Sequence, residues 1–97
     1  MITYLDNHNG QTRTERMLKV TLKNGKQGVA AIGSRSSINE FDFDSNELST
    51  HSIAGVLDLR FDIDRAVAEY NSNQMEWSSY DGRQIASYEE MGVEVHA

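Results

Sequence analysis

Residues 17–32 read MLKVTLKNGKQGVAAI, two runs of alternating apolar and polar side chains that flank Asn24-Gly25. Asn-Gly favours a two-residue type I′ hairpin loop, because both loop positions require a positive φ angle. A loop of this length places Val20 opposite Val29. The apolar side chains that then share one face are Leu18, Val20, Leu22, Val29 and Ala31, and the polar ones on the other face are Lys19, Thr21, Lys23 and Lys26. The segment therefore predicts an antiparallel hairpin with one face turned toward a core.

A second turn signal, Asp81-Gly82, lies between the runs 74–80 and 83–88. The same loop chemistry predicts a second hairpin there. Its register places Met75, Trp77, Ala86 and Tyr88 on one face as an aromatic-rich cover for a core, with Tyr80 and Ile85 on the opposite face. Residues 2–5 and 93–95 are expected to add short strands at the edges of the sheet.

Residues 57–64 permit two interpretations. They read LDLRFDID, which alternates as a half-buried strand does. The region also carries an apolar stripe with the helical period of about 3.6 residues, formed by Val56, Leu59, Ile63, Ala66, Val67 and Tyr70. We prefer a strand followed by a helix over residues 65–70, with Asp62 or Asp64 as the N-cap. One long helix that begins near residue 50 stays the alternative.

The remaining segments complete an α+β fold. Residues 40–44 read EFDFD, which is typical of a short strand, and Asp44 with Glu47 resembles the capping box of a brief helical turn. The fold class that we predict is a small antiparallel sheet built from two hairpins, with one or two helices packed on one face.

Length and composition fit one globular domain over residues 1–97. Of the 97 residues, 38% are hydrophobic and 25% are charged, which is enough for a modest core. The chain has no cysteine, so a disulfide framework and thiolate metal sites are excluded. Neither a signal peptide nor a run of roughly 18 apolar residues is recognisable. We therefore expect a cytoplasmic protein that does not partner with a membrane.

The net charge of −6 is unevenly distributed along the chain. Residues 1–37 hold six basic and two acidic side chains, whereas residues 38–97 hold three basic and thirteen acidic ones. Within residues 40–64 only Arg60 offsets a series of seven carboxylates, which are Glu40, Asp42, Asp44, Glu47, Asp58, Asp62 and Asp64. Because carboxylates are costly to bury without a partner, we expect several of them to lie together on the surface. These seven residues are the predicted partner-binding site.

Recognisable catalytic and cofactor motifs are absent from the sequence. The three histidines lie apart, without the spacing of a zinc protease, and no glycine-rich nucleotide-binding motif occurs. A strand over residues 57–64 would project Asp58, Asp62 and Asp64 from one face, where they could hold a divalent cation. A solvated strand face neutralised in part by Arg60 is the commoner origin of such a pattern. We therefore predict no catalytic residue, no metal and no cofactor.

The lysines of the first hairpin raise the question of nucleic-acid binding. Lys19, Lys23 and Lys26 would share one face, and hairpin ribbons can enter a groove of DNA. However, the chain as a whole is acidic, and no aromatic side chain lies between these lysines to stack on bases. The pattern therefore argues against direct contact with nucleic acid.

Without a chemical motif, the most economical function is binding to another protein. Spaced carboxylates can compete with phosphates for a basic groove, so we expect a partner with a basic surface. In size and charge alone the chain is similar to small inhibitors that bacteriophages and mobile elements direct against nucleic-acid machinery, anti-CRISPR proteins among them. The sequence thus predicts a non-enzymatic inhibitor of this kind. The alternatives are a metal-dependent enzyme built on aspartates and a structural subunit that forms homo-oligomers through a sheet edge.

Overall fold

A computed structural model describes residues 2–5, 13–76 and 81–96 and contains one six-stranded sheet with one α-helix packed against it. The elements are β1 (Ile2–Leu5), β2 (Arg13–Leu22), β3 (Gln27–Ala31), β4 (Arg35–Asp42), β5 (Glu47–Asp58), α1 (Ile63–Glu76), a 3₁₀ turn (Asp81–Arg83) and β6 (Ile85–His96). The predicted α+β class is confirmed. No helix among the described residues has the length and apolar character that a membrane crossing requires.

The order of the strands in the sheet is β1-β6-β2-β3-β4-β5. All neighbours are antiparallel except β1 and β6, which run parallel. The longest ladder joins β2 to β6, so the last strand of the chain lies inside the sheet. Residues 93–95, predicted as an edge strand, belong to this inner strand, whereas residues 2–5 do form an edge.

The hairpin at Asn24-Gly25 is confirmed, but its loop is one residue longer than a type I′ turn. The amide of Gly25 donates to the carbonyl of Leu22 at 2.9 Å, and the amide of Leu22 donates to the carbonyl of Lys26 at 2.9 Å. Of the two turn residues, Gly25 has a positive φ, 87°, and Asn24 does not. This is the three-residue loop in which a β-turn is followed by a residue in the left-handed region.

The longer loop shifts the register of β2 against β3 by one residue. Val20 pairs with Gly28, and Leu18 pairs with Ala30, so the expected pairing of Val20 with Val29 is wrong. Because successive side chains of a strand point to opposite faces, this shift moves Val29 and Ala31 to the face that does not contact the helix. The hairpin therefore buries apolar side chains on both of its faces.

The main core lies between the sheet and α1. Its buried side chains are Leu18, Val20, Leu22, Ala30, Ile38, Ile53, Ala54, Leu57, Leu59, Ala66, Val67, Tyr70 and Ile85. The helix contributes its apolar stripe, as predicted from Ala66, Val67 and Tyr70. The hydroxyl of Tyr70 donates to the carbonyl of Arg83 at 3.3 Å, which ties the helix to the 3₁₀ turn.

A second, smaller core lies on the other face of the sheet. Met17, Val29 and Phe41 are buried there, and Ala31, Phe43, Leu48 and Met91 pack against them. The far end of the β4–β5 hairpin reaches over this face: the Nζ atom of Lys19, on β2, lies 4.5 Å from the centroid of the Phe43 ring. The hairpin bends because its two strands pair irregularly. The twelve residues of β5 lie opposite only eight residues of β4, so the pairing contains bulges. The curvature also brings the edge strands β1 and β5 near each other.

The second predicted hairpin is wrong. Residues 63–76 are helical, and Asp81-Gly82 belongs to the 3₁₀ turn. The turn instead packs on the first hairpin loop, where the amide of Asn24 donates to the carbonyl of Gly82 at 3.1 Å. Ile85 is buried in the main core, whereas Ala86 and Tyr88 are exposed. Trp77 and Tyr80 lie outside the described residues, as does the side chain of Met75.

A strand followed by a helix is confirmed for the middle of the chain, and one long helix from residue 50 is wrong. The strand lies earlier than expected, however, and ends at Asp58, so residues 59–62 form a connection. Asp62 is the N-cap, and α1 begins at Ile63. The expected capping box at Asp44 and Glu47 is also wrong. Residues 43–46 form the turn between β4 and β5, and Glu47 is the first residue of β5.

Two glycines of the sheet offer a matched test of this packing. A Cβ atom at Gly28 would lie 2.4 Å from the carbonyl oxygen of Asn39, on neighbouring β4, whereas a Cβ at Gly55 would meet only Tyr70 Cε2, at 3.9 Å. We expect Gly28→Ala to lower the free energy of unfolding by roughly 1–3 kcal/mol, because backbone must move. Gly55→Ala is expected to raise it by about 0.4–1 kcal/mol through the unfolded state. Urea unfolding of both variants checks the opposite signs; equal effects would contradict the register.

Candidate functional site

The connection between β5 and α1 presents an aromatic side chain to solvent. Phe61 is 84% exposed, more than the other large exposed hydrophobic side chains of the described residues, Val56 at 55% and Tyr88 at 37%. Single exposed apolar residues are ordinary on protein surfaces. What distinguishes Phe61 is how firmly the residues on either side of it are held.

Leu59 anchors the first half of the connection. Its side chain is only 1% exposed and belongs to the main core. Its amide donates to the carbonyl of Ser34 at 3.1 Å, and its carbonyl accepts from the amide of Gly33 at 3.0 Å. Gly33 has a positive φ of 95°, which suits glycine, so the β3–β4 turn can meet the connection with both backbone groups.

Asp58 and Arg60 add a fixed ion pair beside the aromatic ring. The Nε and Nη2 atoms of Arg60 donate to the two carboxylate oxygens of Asp58, at 2.8 and 2.7 Å. This fork geometry orients both side chains. The guanidinium carbon of Arg60 lies 5.6 Å from the centroid of the Phe61 ring, within the range of a cation–π contact. The hydrogen bonds from Arg60 lower the pKa of Asp58 from 3.8 to about 2.

Asp62 holds the other end of the connection as the helix N-cap. Its Oδ1 accepts from the amide of Asp64 at 2.9 Å and from the amide of Arg65 at 3.2 Å, and its carbonyl accepts from the amide of Ala66 at 2.9 Å. These bonds satisfy amides that the first helical turn leaves without partners. Phe61 therefore stands between a buried anchor and a capped helix.

Phe61 separates two open concavities. One, of about 500 Å³, is lined by Phe61, Asp62, Ile63, Asp64, Tyr88, Glu89 and Glu90. The other, of about 350 Å³, is lined by Asp58, Phe61, Asp62, Arg65, Ala66 and Glu69. In the first, the Tyr88 hydroxyl donates to Asp64 Oδ1 at 2.6 Å, and this hydrogen bond to a carboxylate raises the pKa of Tyr88. The hydrogen bond joins β6 to the start of α1.

The seven carboxylates predicted as a partner-binding site fall into two groups. Asp58, Asp62 and Asp64 surround Phe61, at the end of β5 and the start of α1. The others, Glu40, Asp42, Asp44 and Glu47, lie at the β4–β5 turn, where Asp42 accepts from the amides of Asp44 and Ser45. These backbone hydrogen bonds lower the pKa of Asp42. The two groups lie at opposite ends of β5. The bend of the β4–β5 hairpin nevertheless brings the turn back over the sheet, because Phe43 contacts Lys19, which pairs with Glu89 on β6.

The basic and acidic segments of the chain adjoin instead of separating. Arg16 and Lys19, on β2, form ion pairs with Glu90 and Glu89 on the neighbouring strand β6. Lys23 lies in the hairpin loop and hydrogen-bonds to Gln84. The expected lysine-bearing hairpin face is therefore interrupted by acidic neighbours, and two of its lysines, Lys19 and Lys23, are engaged within the molecule.

Sequence reasoning missed four contributors to the site, Phe61, Tyr88, Glu89 and Glu90. The adjacent carboxylates of Glu89 and Glu90 were a visible signal, but they lie between the run 83–88 assigned to a hairpin and residues 93–95 assigned to an edge strand, so they were assigned to no element. Phe61 matched the apolar positions of an alternating strand, so its exposure had no signal in the pattern. Only the end of β5 at Asp58 releases it from the sheet.

The premise of an aspartate metal site is wrong, because Asp62 and Asp64 lie outside the strand that would have aligned them with Asp58. Within residues 2–5, 13–76 and 81–96, no three acidic or histidine side chains come together as a set that could hold a metal ion.

Comparison with family models, with curated proteins and with solved structures finds no match to the chain. The geometry around Phe61 therefore carries the functional inference.

The Asp58–Arg60 pair predicts a contribution to stability that depends on pH. The pKa of Asp58 is lowered from 3.8 to about 2 in the folded protein, so the contribution is present above pH 3.8 and is lost as the pH falls through about 2. We expect the free energy of unfolding to fall less steeply across this interval in Asp58→Asn and in Arg60→Gln than in the wild type. Chemical unfolding at a series of pH values checks this; three parallel profiles would contradict it.

The N-cap at Asp62 gives a second stability prediction. Asp62→Ala removes the acceptor for two helix amides and is expected to cost about 0.5–2 kcal/mol, whereas Asp62→Asn keeps a capping oxygen and is expected to cost less than half of that. Urea unfolding of the two variants measures the difference. Equal losses would mean that the carboxylate charge, and not the cap, stabilises the helix.

Proposed function

We propose that the protein is a non-enzymatic binding module that docks on a basic surface of a protein partner. The docking surface consists of Phe61, Asp62, Asp64, Tyr88, Glu89 and Glu90, which we call the Phe61 surface. The partner would be a protein that handles nucleic acid, since such proteins carry basic grooves for phosphates. The observation that supports this most directly is the exposure of Phe61 on a connection that is held on both sides.

Binding energy at protein interfaces is concentrated in a few side chains, and aromatic anchors at the centre of a patch are frequent among them. An anchor on a mobile loop would lose part of that energy, because the loop must be ordered on binding. The backbone bonds of Leu59 and the cap at Asp62 hold Phe61 before any partner arrives. Binding therefore carries little cost for ordering the backbone around Phe61.

The charge of the Phe61 surface favours a basic partner. It carries four carboxylates, two of which are paired, Glu89 with Lys19 and Glu90 with Arg16. Asp62 and Asp64 leave a local excess of two negative charges, on a chain whose net charge is −6. Such a surface steers a positively charged partner into contact and discriminates against acidic ones.

The acidic β4–β5 turn supports the same function at a second contact. A partner with an extended basic groove could meet both groups of carboxylates, in the manner of a nucleic-acid mimic. The sequence already suggested one form of this proposal, an inhibitor of the phage or anti-CRISPR type. Such an inhibitor occupies a groove that normally binds phosphates.

A homo-oligomer joined through a sheet edge is less well supported by the geometry. Edge strand β5 is irregular, and bulged edges pair poorly. Antiparallel self-pairing of β5 would also bring Glu47 of one copy toward Asp58 of the other, two like charges. The acidic ends of β5 therefore oppose this assembly.

Affinity capture from the source cell, followed by binding measurements on the captured protein, tests the proposal. Phe61→Ala is expected to weaken binding by about thirtyfold or more, as loss of an anchor does, while its small buried area leaves stability nearly unchanged. Val56→Ala, a change at another exposed apolar residue, is the matched control and should bind like the wild type.

Salt supplies the second readout. Affinity should fall steeply between roughly 0.05 and 0.5 M salt, because screening shortens to about 10 Å at 0.1 M and further above it. A partner that binds Phe61→Ala as tightly as the wild type, or binds equally at both salt concentrations, would contradict the proposal.

A further inference from the structure

We propose that the concavity between Phe61 and Tyr88 receives the side chain of an arginine from the partner. The inference rests on the proposed function and deepens it, because it names the chemical group that the Phe61 surface recognises. Its basis is the combination of aromatic walls with carboxylates in one open concavity of about 500 Å³.

The walls of the concavity are apolar. Phe61 stands on the connection before α1, Ile63 packs on the main core from the first turn of the helix, and Tyr88 comes from β6. The Tyr88 hydroxyl is fixed by its hydrogen bond to Asp64, so the phenol ring has a defined position. Such walls suit the three methylene groups of an arginine stem and the flat face of its guanidinium.

The rim of the concavity is acidic. Asp62, Asp64, Glu89 and Glu90 line it, and no lysine or arginine is among the described residues that do so. The hydrogen bonds and ion pairs given above engage Oδ1 of Asp64 and Oε1 of Glu89 and Glu90. A cationic group with several donors in one plane can reach more than one of these carboxylates at once.

An arginine of the chain itself, Arg60, makes the same type of contact with an aromatic ring and a carboxylate beside Phe61. The guanidinium of Arg60 lies near the Phe61 ring and binds the Asp58 carboxylate with two hydrogen bonds. One guanidinium thus forms a cation–π contact with an aromatic ring and two hydrogen bonds with a carboxylate at the same time. The partner's arginine would repeat this arrangement between Phe61 and Tyr88, with Asp64 in the place of Asp58.

Arginine fits these groups better than lysine does. A guanidinium is planar and weakly hydrated, so it stacks on a ring and forms forked hydrogen bonds with carboxylates. An ammonium is compact and strongly hydrated, so its desolvation against an aromatic ring is more costly. We therefore expect arginine to bind several times more tightly than lysine.

Amino-acid derivatives test the inference without the partner. The full chain, labelled with ¹⁵N and ¹³C, is titrated with N-acetyl-arginine methylamide, with the lysine analogue, and with the citrulline analogue, which has the same shape as arginine but no charge. Arginine is expected to shift the signals of Phe61, Ile63 and Tyr88 in a saturable way. Lysine should bind more weakly, and citrulline should bind at least about tenfold more weakly, because the charge-assisted hydrogen bonds are lost.

Variants locate the binding. Asp64→Asn should weaken the arginine interaction by about tenfold, the loss expected for one charge-assisted hydrogen bond. Asp44→Asn, at the β4–β5 turn and not among the residues that line the concavity, changes the net charge equally and should have no effect. Thermal unfolding of both variants confirms that they are folded.

The outcomes separate this inference from the proposed function. Shifts that are spread over both acidic groups, or that citrulline produces as well as arginine, overturn the arginine site while leaving the role of Phe61 in partner binding unaffected. If arginine saturates the concavity but the partner does not depend on Phe61, the proposed function fails and the arginine site stands. An absence of any shift in the wild type overturns the inference directly.

Discussion

The loop at residues 23–25 sets the register on which the rest of the sheet depends. One additional loop residue directs Leu18 and Val20 to the helix side and Val29 to the opposite side. The sheet then needs cover on both faces. The helix covers one, and the bent β4–β5 hairpin covers the other. A two-residue loop would have placed all of these side chains on one face and left the second core without its Val29 centre.

The same register connects the fold to the proposed site. Gly28 lies opposite Val20 and lets β4 approach closely, so that the β3–β4 turn reaches the connection after β5. There Gly33 and Ser34 hold the backbone of Leu59. Phe61, two residues further, is thus positioned by hydrogen bonds that trace back to the first hairpin.

Sequence patterns predicted those elements whose signals are local. The hairpin around Asn24-Gly25, the helix stripe of Ala66, Val67 and Tyr70, and the cap at Asp62 all follow from neighbouring residues. The register did not, because Asn-Gly occurs in loops of two and of three residues, and only the contacts of the whole sheet select between them. The second hairpin failed because Asp81-Gly82 packs on the loop at Asn24, a contact between residues far apart in the sequence.

The candidate site was predicted in part for a similar reason. Asp58, Asp62 and Asp64 were identified as carboxylates, and the partners of Asp58 and Asp62 are local, but the partner of Asp64 is Tyr88, which comes from β6. Their position relative to Glu40, Asp42, Asp44 and Glu47 depends on where β5 begins and on how the β4–β5 hairpin bends. The alternation of residues 57–64 placed this strand too late in the sequence and gave no signal for the bend. Charge composition therefore identified the acidic character of the surface and not its geometry.

The exposure of Phe61 has an energetic meaning that the other surface features lack. Full burial of a phenylalanine side chain contributes roughly 1.5–3 kcal/mol relative to full exposure, and small domains have total stabilities of only about 5–15 kcal/mol. A polar residue in this connection would cost the fold almost nothing, since Leu59 provides the anchor and Asp62 the cap. Phe61 thus contributes little to folding, while the surrounding hydrogen bonds fix its position. A side chain on a fixed stretch of backbone that leaves most of its apolar surface in water gains that free energy only when another molecule covers it.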